Sequence, residues 1–147
     1  MAAWSIVAVL RVMLALVLAL ALLQPLLHAR LLPPLVAVWF SLDGRALLWA
    51  GRGWLLAAAA LPALLVGAVA LGVLPMLGRR PGGAAQERLG LWLGVITAAF
   101  FAALAQLVFD ANALPLPVLD MGEARWLGAS YLLFVVLWAW TLRRAAR

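Results

Sequence analysis

Polar side chains that could bind a ligand or move a proton are few in this sequence, and they fall near the ends of long apolar runs. These side chains are Gln24, His28, Gln106, Asp110, Ser130 and Tyr131. A polar or ionisable group beside hydrocarbon needs a partner or a function, because lipid does not solvate it. The six could join helices by hydrogen bonds, bind a ligand or carry protons, and the sequence leaves these roles open.

No arrangement of residue types typical of an enzyme or a metal site is present. The chain has no cysteine, which excludes disulfides, thiolate metal sites and cysteine nucleophiles. His28 is the one histidine, and a zinc ion would need further ligands where acidic residues are scarce. His28 or Asp110 could be the base of a lipid-acting enzyme only beside a second positioned polar group. We therefore predict no catalytic residue, no metal and no cofactor, unless a larger complex supplies His28 with a haem-like group.

The composition of the chain indicates the kind of structure that positions these groups. Of the 147 residues, 69% are hydrophobic and 11% are charged, and the mean hydropathy is +1.14. Soluble domains carry roughly twice that share of charged side chains. The net charge of +6 would suggest nucleic acid in a soluble protein, but here the arginines lie between apolar runs. Lipid is the solvent that fits such a surface, and no nucleic-acid partner is predicted.

The apolar runs predict an all-α integral membrane protein with four transmembrane helices in a single domain, residues 1–147. We place the helices at about 11–30, 53–77, 89–110 and 125–143, each near the roughly 20 residues that cross a bilayer. The first run also has features of a cleaved signal peptide. An uncleaved helix is favoured, because Arg11 lies ten residues into the chain and the bulky His28 precedes the possible cleavage site.

The distribution of arginine predicts which side of the membrane each loop faces. One side would hold six arginines, namely Arg79, Arg80, Arg88, Arg143, Arg144 and Arg147. The other side would hold four, namely Arg30, Arg45, Arg52 and Arg125. Four of the five acidic residues also fall on this arginine-poor side. Because arginine-rich loops stay in the cytoplasm, both termini are predicted to be cytoplasmic, in a bacterial inner membrane.

Residues 31–52 separate the first two apolar runs and are predicted to form a short extracytoplasmic strand and turn. Pro33 and Pro34 end the first helix. Residues 36–40 alternate as a strand does, and Ser41-Leu42-Asp43-Gly44 is typical of a turn. The residues after the turn fit either a return strand or a helical turn. The segment is an interfacial connector or a recognition surface, and its candidate residues are Trp39, Phe40, Asp43, Gly44 and Trp49.

A short pattern follows the first apolar run, and it consists of Leu32-Pro33, Val38-Trp39-Phe40-Ser41, Gly44 and Trp49. It resembles a bacterial domain of unknown function found in small four-helix membrane proteins and at the front of SdpI-type toxin-immunity proteins. Trp39 stands where that family has His, Ser41 where it has Asn, and Ala46-Leu47 where it has Pro-Asp. The resemblance implies a four-helix membrane protein with an immunity-like role, without the polar residues of the family pattern.

The third apolar run carries a small residue at every fourth position. This small-residue stripe consists of Gly90, Gly94, Ala98 and Ala102. Such a stripe lies on one face of a helix and lets another helix approach closely, as in GxxxG packing. We predict that this face packs on a helix of the same chain or of a partner.

Together these patterns predict a non-catalytic membrane protein that acts through helix packing and binding. It would be an accessory subunit of a membrane complex or an immunity-like protein. Its predicted partners are the lipid bilayer and either another membrane protein or a second copy of itself. A transporter or sensor that uses the polar side chains is the alternative, and a lipid-acting enzyme is a further one.

Overall fold

The fold is built on four helices that are long and apolar enough to cross a membrane. The computed structural model describes residues 5–79 and 83–145. Within them the spans are α1 (Ile6–His28), α2 (Arg52–Gly72) continued by the short α3 (Leu74–Gly78), α4 (Gly83–Asn112) and α5 (Met121–Ala145). An antiparallel hairpin of β1 (Leu35–Phe40) and β2 (Ala46–Gly51) lies between the first two spans. The predicted fold class, an all-α multi-pass membrane protein with a strand and turn after its first helix, is confirmed.

Three helices begin earlier than the apolar runs indicate, and one of them is α5, which starts at Met121 rather than near 125. The first starts at Ile6 rather than near 11, because the Ser5 hydroxyl accepts a hydrogen bond from the backbone N–H of Ala8 at 3.2 Å and caps the helix. α4 starts at Gly83 rather than near 89, so its first turns include the charged Glu87. Hydropathy marks only the apolar part of a helix, and α4 and α5 begin with more polar turns. The first residues of α1 are apolar, and only Arg11 separates them from the predicted span. Arg80 and Arg147, used above to predict orientation, lie outside the described residues.

The second span is broken near its end by a proline. α2 continues through Pro62 and stops at Gly72, just before Pro75 in the first turn of α3. Proline has no N–H donor and its ring obstructs the preceding helical turn, so the regular helix is interrupted at Val73. Leu74 of α3 then packs against Gly90 of α4, where an added Cβ would overlap the leucine side chain.

The hairpin is a tight turn flanked by two six-residue strands. Gly44 has a φ of 84°, a left-handed conformation that favours glycine, and its N–H donates to the Ser41 carbonyl at 3.0 Å. The residues after the turn form a strand, which decides between the two alternatives that the sequence leaves open. A register shift after Ala37 accompanies complete burial of both Val36 and Ala37, where strict alternation would expose one of them.

α4 is the central helix of the bundle, and α1, α2, α3, α5 and β1 all pack on it. One apolar cluster lies near the hairpin and consists of Leu32, Val36, Leu55, Ala105 and Phe109. A second lies toward the other end and consists of Leu10, Leu14, Leu74, Leu91 and Val95. We call these two ends of the bundle the hairpin end and the opposite end. α5 packs on α4 alone among the described helices, so most of its surface is left for lipid or a partner.

The small-residue stripe of α4 packs against helices of the same chain. Gly94 lies against Leu14 of α1 and Val66 of α2, and Ala98 is almost fully buried. Small side chains here let the helices approach closely, as in GxxxG packing. Gly90, Gly94 and Ala98 are therefore not free for a partner helix.

Candidate functional site

A chain of hydrogen bonds runs from α1 to the end of α4 near the hairpin end. Gln24 Nε2 donates to the carbonyl oxygen of Ala102 at 3.2 Å and to Gln106 Oε1 at 2.7 Å. Gln106 Nε2 in turn donates to Asp110 Oδ1 at 2.7 Å. We call Gln24, Gln106 and Asp110 the polar chain. Three of the six side chains singled out from the sequence thus form one connected network.

Helical spacing and small neighbours put the polar chain together. Gln106 and Asp110 are four residues apart on α4 and therefore share one face. Ala102, one turn before, has too small a side chain to keep α1 away, so the Gln24 amide reaches the backbone of α4. Gln24 and Gln106 are half-buried and Asp110 is exposed, so the chain runs from the helix interface toward the membrane boundary.

His28 lies beside the polar chain, one turn after Gln24. Its Nδ1 is 2.9 Å from the carbonyl oxygen of Gln24, and its ring stacks on Phe109 at 4.6 Å between centroids. Because a carbonyl oxygen only accepts hydrogen bonds, this contact requires a proton on Nδ1. The ring is thereby oriented and Nε2 is left for another partner.

Gln24 and Gln106 of the polar chain line an open groove between α1 and α4, which we call the α1–α4 groove. Its volume is about 390 Å³, and its lining is Leu20, Leu23, Gln24, Leu27, His28, Ala102, Ala103 and Gln106. The walls are leucine and alanine, so the amides and the imidazole are the hydrogen-bonding groups that an occupant would meet. Such a groove suits an apolar occupant that carries one or two polar groups.

Gln106 also reaches a second groove, on the side of α4 that faces α5. This groove has a volume of about 390 Å³ and contains Ser130, Glu123 and Trp126 of α5. Ser130 therefore shares a groove with Gln106, although no hydrogen bond joins the two among the described residues.

Tyr131 lies away from the polar chain and joins α4 to α5 deeper in the bundle. Its hydroxyl is 3.0 Å from Thr97 Oγ1, and its ring stacks on Phe100 with centroids 4.2 Å apart. The contact satisfies both hydroxyls at a helix interface, which is a structural role. Thr97 is missing from the predicted set, although a threonine inside an apolar run is itself a signal for such a bond.

Asn112 is a second residue that sequence reasoning missed. Its Oδ1 accepts from the Ala37 N–H at 2.6 Å, and its Nδ2 donates to the carbonyl oxygens of Ala37 and Val108 at 2.9 Å. The asparagine side chain thus pairs with Ala37 as a neighbouring strand would. Asn112 is 3% exposed, so this contact fixes the hairpin to the end of α4 in a dry environment.

Of the hairpin residues predicted from the sequence, Trp39, Asp43 and Trp49 are exposed and Gly44 is buried. Trp39 and Trp49 are 66% and 49% exposed, and Phe40 is half-buried. Asp43 pairs with Arg45 at 3.0 Å beside Gly44. The pKa of Asp43 is lowered mainly by the hydrogen bond from the Ser41 hydroxyl and then by a backbone hydrogen bond; desolvation opposes them, and Arg45 has the smallest lowering effect. Exposed tryptophans with an ionised turn fit the membrane interface, where apolar rings with one N–H donor are favoured.

Among the described residues no group of three or more His, Asp or Glu side chains is placed to hold a metal ion. Comparisons of the chain with protein-family models, with curated proteins and with solved structures find no match in any of the three. The resemblance to the immunity-protein family therefore stays a prediction. The functional argument rests on the geometry of the polar chain and its groove.

Proposed function

We propose that this chain is a non-catalytic accessory subunit of a bacterial inner-membrane complex, and that it binds one transmembrane helix of its partner in the α1–α4 groove. The observation that carries the proposal is the polar chain, which lies along a groove open to the surroundings of the bundle. The partner helix would present a hydrogen-bond donor to Gln24 or His28 and small or apolar residues to the leucine walls.

One acceptor of the α1–α4 groove is left without a donor by the fold. Among residues 5–79 and 83–145, Gln24 Oε1 accepts no hydrogen bond. A polar group that faces hydrocarbon without a partner costs several kcal/mol. Hydrogen bonds between membrane helices are worth about 0.6 kcal/mol on average. A partner helix that supplies a donor to Gln24 would remove this penalty by making the hydrogen bond.

Orientation follows from the arginine pattern. The proposal puts both termini in the cytoplasm, and the hairpin end with the α1–α4 groove in the outer half of the bilayer. The exposed tryptophans of the hairpin support its position at a membrane–water interface, since tryptophan is enriched at both interfaces.

The first prediction compares two alanine substitutions on α4. Ala103 is exposed and lines the α1–α4 groove without a role in the polar chain. Ala99 is exposed one turn earlier and lies outside that lining. Ala103→Phe should fill the groove and release the partner, whereas Ala99→Phe should retain it. The measurement is mass spectrometry of the proteins that co-purify with the tagged chain in mild detergent.

The wild-type chain should bring along one membrane protein in stoichiometric amount. The accessory role is wrong if the wild-type chain purifies alone, or if both phenylalanine variants keep the partner equally well. An immunity-like role would instead show as sensitivity of the deletion strain to a secreted toxic peptide.

The polar chain also supports a second candidate, a transporter or sensor. It connects an amide at the helix interface to an exposed carboxylate, with an imidazole beside it. Such a row of groups could pass a proton or a polar solute. In that case the chain would act without a partner, and Asp110→Asn would abolish its substrate-dependent flux in vesicles.

A further inference from the structure

A cavity of about 810 Å³ lies at the opposite end, between α1 and the second span, with α4 behind it. Its walls are apolar, with Leu14, Leu18 and Leu22 on α1 and Leu71 and Leu74 on the second span. Leu71 is 84% exposed, so this wall also faces the surroundings of the bundle. The volume falls within the roughly 300–1,000 Å³ of small-molecule sites.

The short α3 forms part of the wall of this cavity. Leu74 and Pro75 line it, and Leu74 packs on Gly90 of α4. At the end of α3, Gly78 lies against the carboxylate of Glu87, where a Cβ would overlap the side chain. The absence of a side chain at Gly78 therefore lets Glu87 reach the cavity from α4.

Charged groups line one end of the cavity. Arg11 pairs with Glu87 at 2.5 Å; the Glu87 side chain is 11% exposed and that of Arg11 is 57% exposed. Arg79 also lines the cavity, is exposed, and has no ion-pair partner among the described residues. Two guanidinium groups against one carboxylate leave one positive charge at this end. Arg11 uses one of its five N–H donors on Glu87, so others are available.

The length of the cavity matches one leaflet of a membrane. Its lining on α1 extends from Arg11 to Leu22, which corresponds to about 16 Å of helix. Half of the hydrocarbon core of a bilayer is about 15 Å thick. The charged end therefore lies at headgroup level when the apolar walls lie beside acyl chains.

We infer that this cavity binds one anionic phospholipid, with an acyl chain along α1 and the phosphate between Arg11 and Arg79. Positive charge at headgroup level selects lipids with net negative charge over zwitterionic ones. The inference is independent of the partner proposed above, because it concerns the other end of the bundle and residues outside the polar chain.

The experiment uses the full chain, delipidated in detergent and titrated with phosphatidylglycerol or phosphatidylcholine of the same acyl length. Native mass spectrometry counts the lipids bound. The wild type should bind one phosphatidylglycerol with at least about fivefold preference. Arg79→Gln should weaken that binding about fivefold, the effect of one arginine beside an anionic surface. Arg143→Gln makes the same charge change at the same end but outside the cavity. It should leave phosphatidylglycerol binding within about twofold of the wild-type value.

A second pair of variants tests the apolar walls of the cavity, along which the acyl chain is proposed to lie. Ala19→Phe fills the cavity from α1 and should lower binding of both lipids, whereas Ala57→Phe, on an exposed part of α2 outside the cavity, should lower neither. Equal binding of the two lipids overturns the inference, as does an equal effect of the two arginine substitutions. Unchanged binding by a folded Ala19→Phe variant overturns the proposed position of the acyl chain.

Discussion

Asn112 is the residue on which the position of the hairpin depends most directly. Ala37 is fully buried, so its N–H and C=O cannot turn to water, and the Asn112 amide bonds both of them. Its third bond, to Val108, holds the amide in one orientation at the end of α4. A side chain here replaces a backbone neighbour, which is why a two-stranded sheet can end against a helix without leaving buried groups unpaired.

Replacing Asn112 by leucine should therefore destabilise the protein. Asn112→Leu keeps the approximate size of the side chain but leaves the N–H and C=O of Ala37 without partners. The free energy of unfolding should fall by about 2–4 kcal/mol. Thermal unfolding in detergent measures the loss, and hydrogen exchange at the Ala37 amide should accelerate. Gln86→Leu, an amide-to-leucine change on the exposed face of α4, is the control and should have little effect. Unchanged exchange at Ala37 would contradict the role given to Asn112.

Among the elements, the hairpin is joined to the rest of the molecule through its own turn. The Gly44 carbonyl accepts from the Leu119 N–H at 2.9 Å, and the Leu42 carbonyl accepts from Arg125 at the same distance. The turn thus packs on the α4–α5 loop and on the start of α5. Gly44 is required twice here, once for its left-handed backbone and once for its close approach to Leu119.

Comparing alanine substitutions at Gly44 and Gly53 should distinguish these two requirements from the general cost of replacing a glycine. Gly44→Ala should lower the free energy of unfolding by about 2 kcal/mol or more, through backbone strain of about 1–2 kcal/mol plus overlap with the Leu119 carbonyl. Gly53→Ala adds a methyl group in open space in the first turn of α2. It should be neutral or slightly stabilising, since alanine favours helix. Similar losses in both variants, measured by chemical unfolding in micelles, would rule out this reading of the turn.

At the scale of the whole molecule, the two ends of the bundle are chemically different. The hairpin end carries exposed tryptophans, the polar chain and Asp43, whereas the opposite end carries Arg11, Arg79 and the arginines that end α5. An asymmetry of this kind is what orients a membrane protein during insertion. It also separates the two proposed sites, with the partner groove at one end and the lipid cavity at the other.

Because the chain has no cysteine, its orientation can be read by labelling single introduced ones. Leu42→Cys, at the exposed turn, should react with a membrane-impermeant maleimide in cells whose outer membrane is permeable. A cysteine appended after Arg147 should react only after the inner membrane is opened. Val136→Cys, in the middle of α5, serves as a control that should react in neither case. Labelling of both water-exposed sites from the same side would disprove the arrangement of four spans.

The amino-acid sequence by itself determined the solvent of this protein, its number of spans and the place of its turn. Each of these depends on sums over neighbouring residues: too few charges for an aqueous surface, about twenty apolar residues per span, and a turn that ends in glycine. The small-residue stripe on α4 could be predicted for the same reason, because helical periodicity is a property of neighbouring residues. Helix ends were less predictable, because the first turns of α4, which include Glu87, are too polar to be part of an apolar run, and because Arg11 interrupts an apolar run through which α1 continues.

Only the folded structure shows which polar groups meet. Gln24 and Gln106 are 82 residues apart, and Asn112 and Ala37 are 75 apart. Their pairing depends on how α1, α4 and the hairpin pack, so neither partner's local sequence contains it. The same holds for Tyr131, which lies one residue after Ser130 and yet bonds Thr97 on another level of the bundle. Periodicity places a side chain on a face of its helix, and packing over the whole chain decides what that face touches.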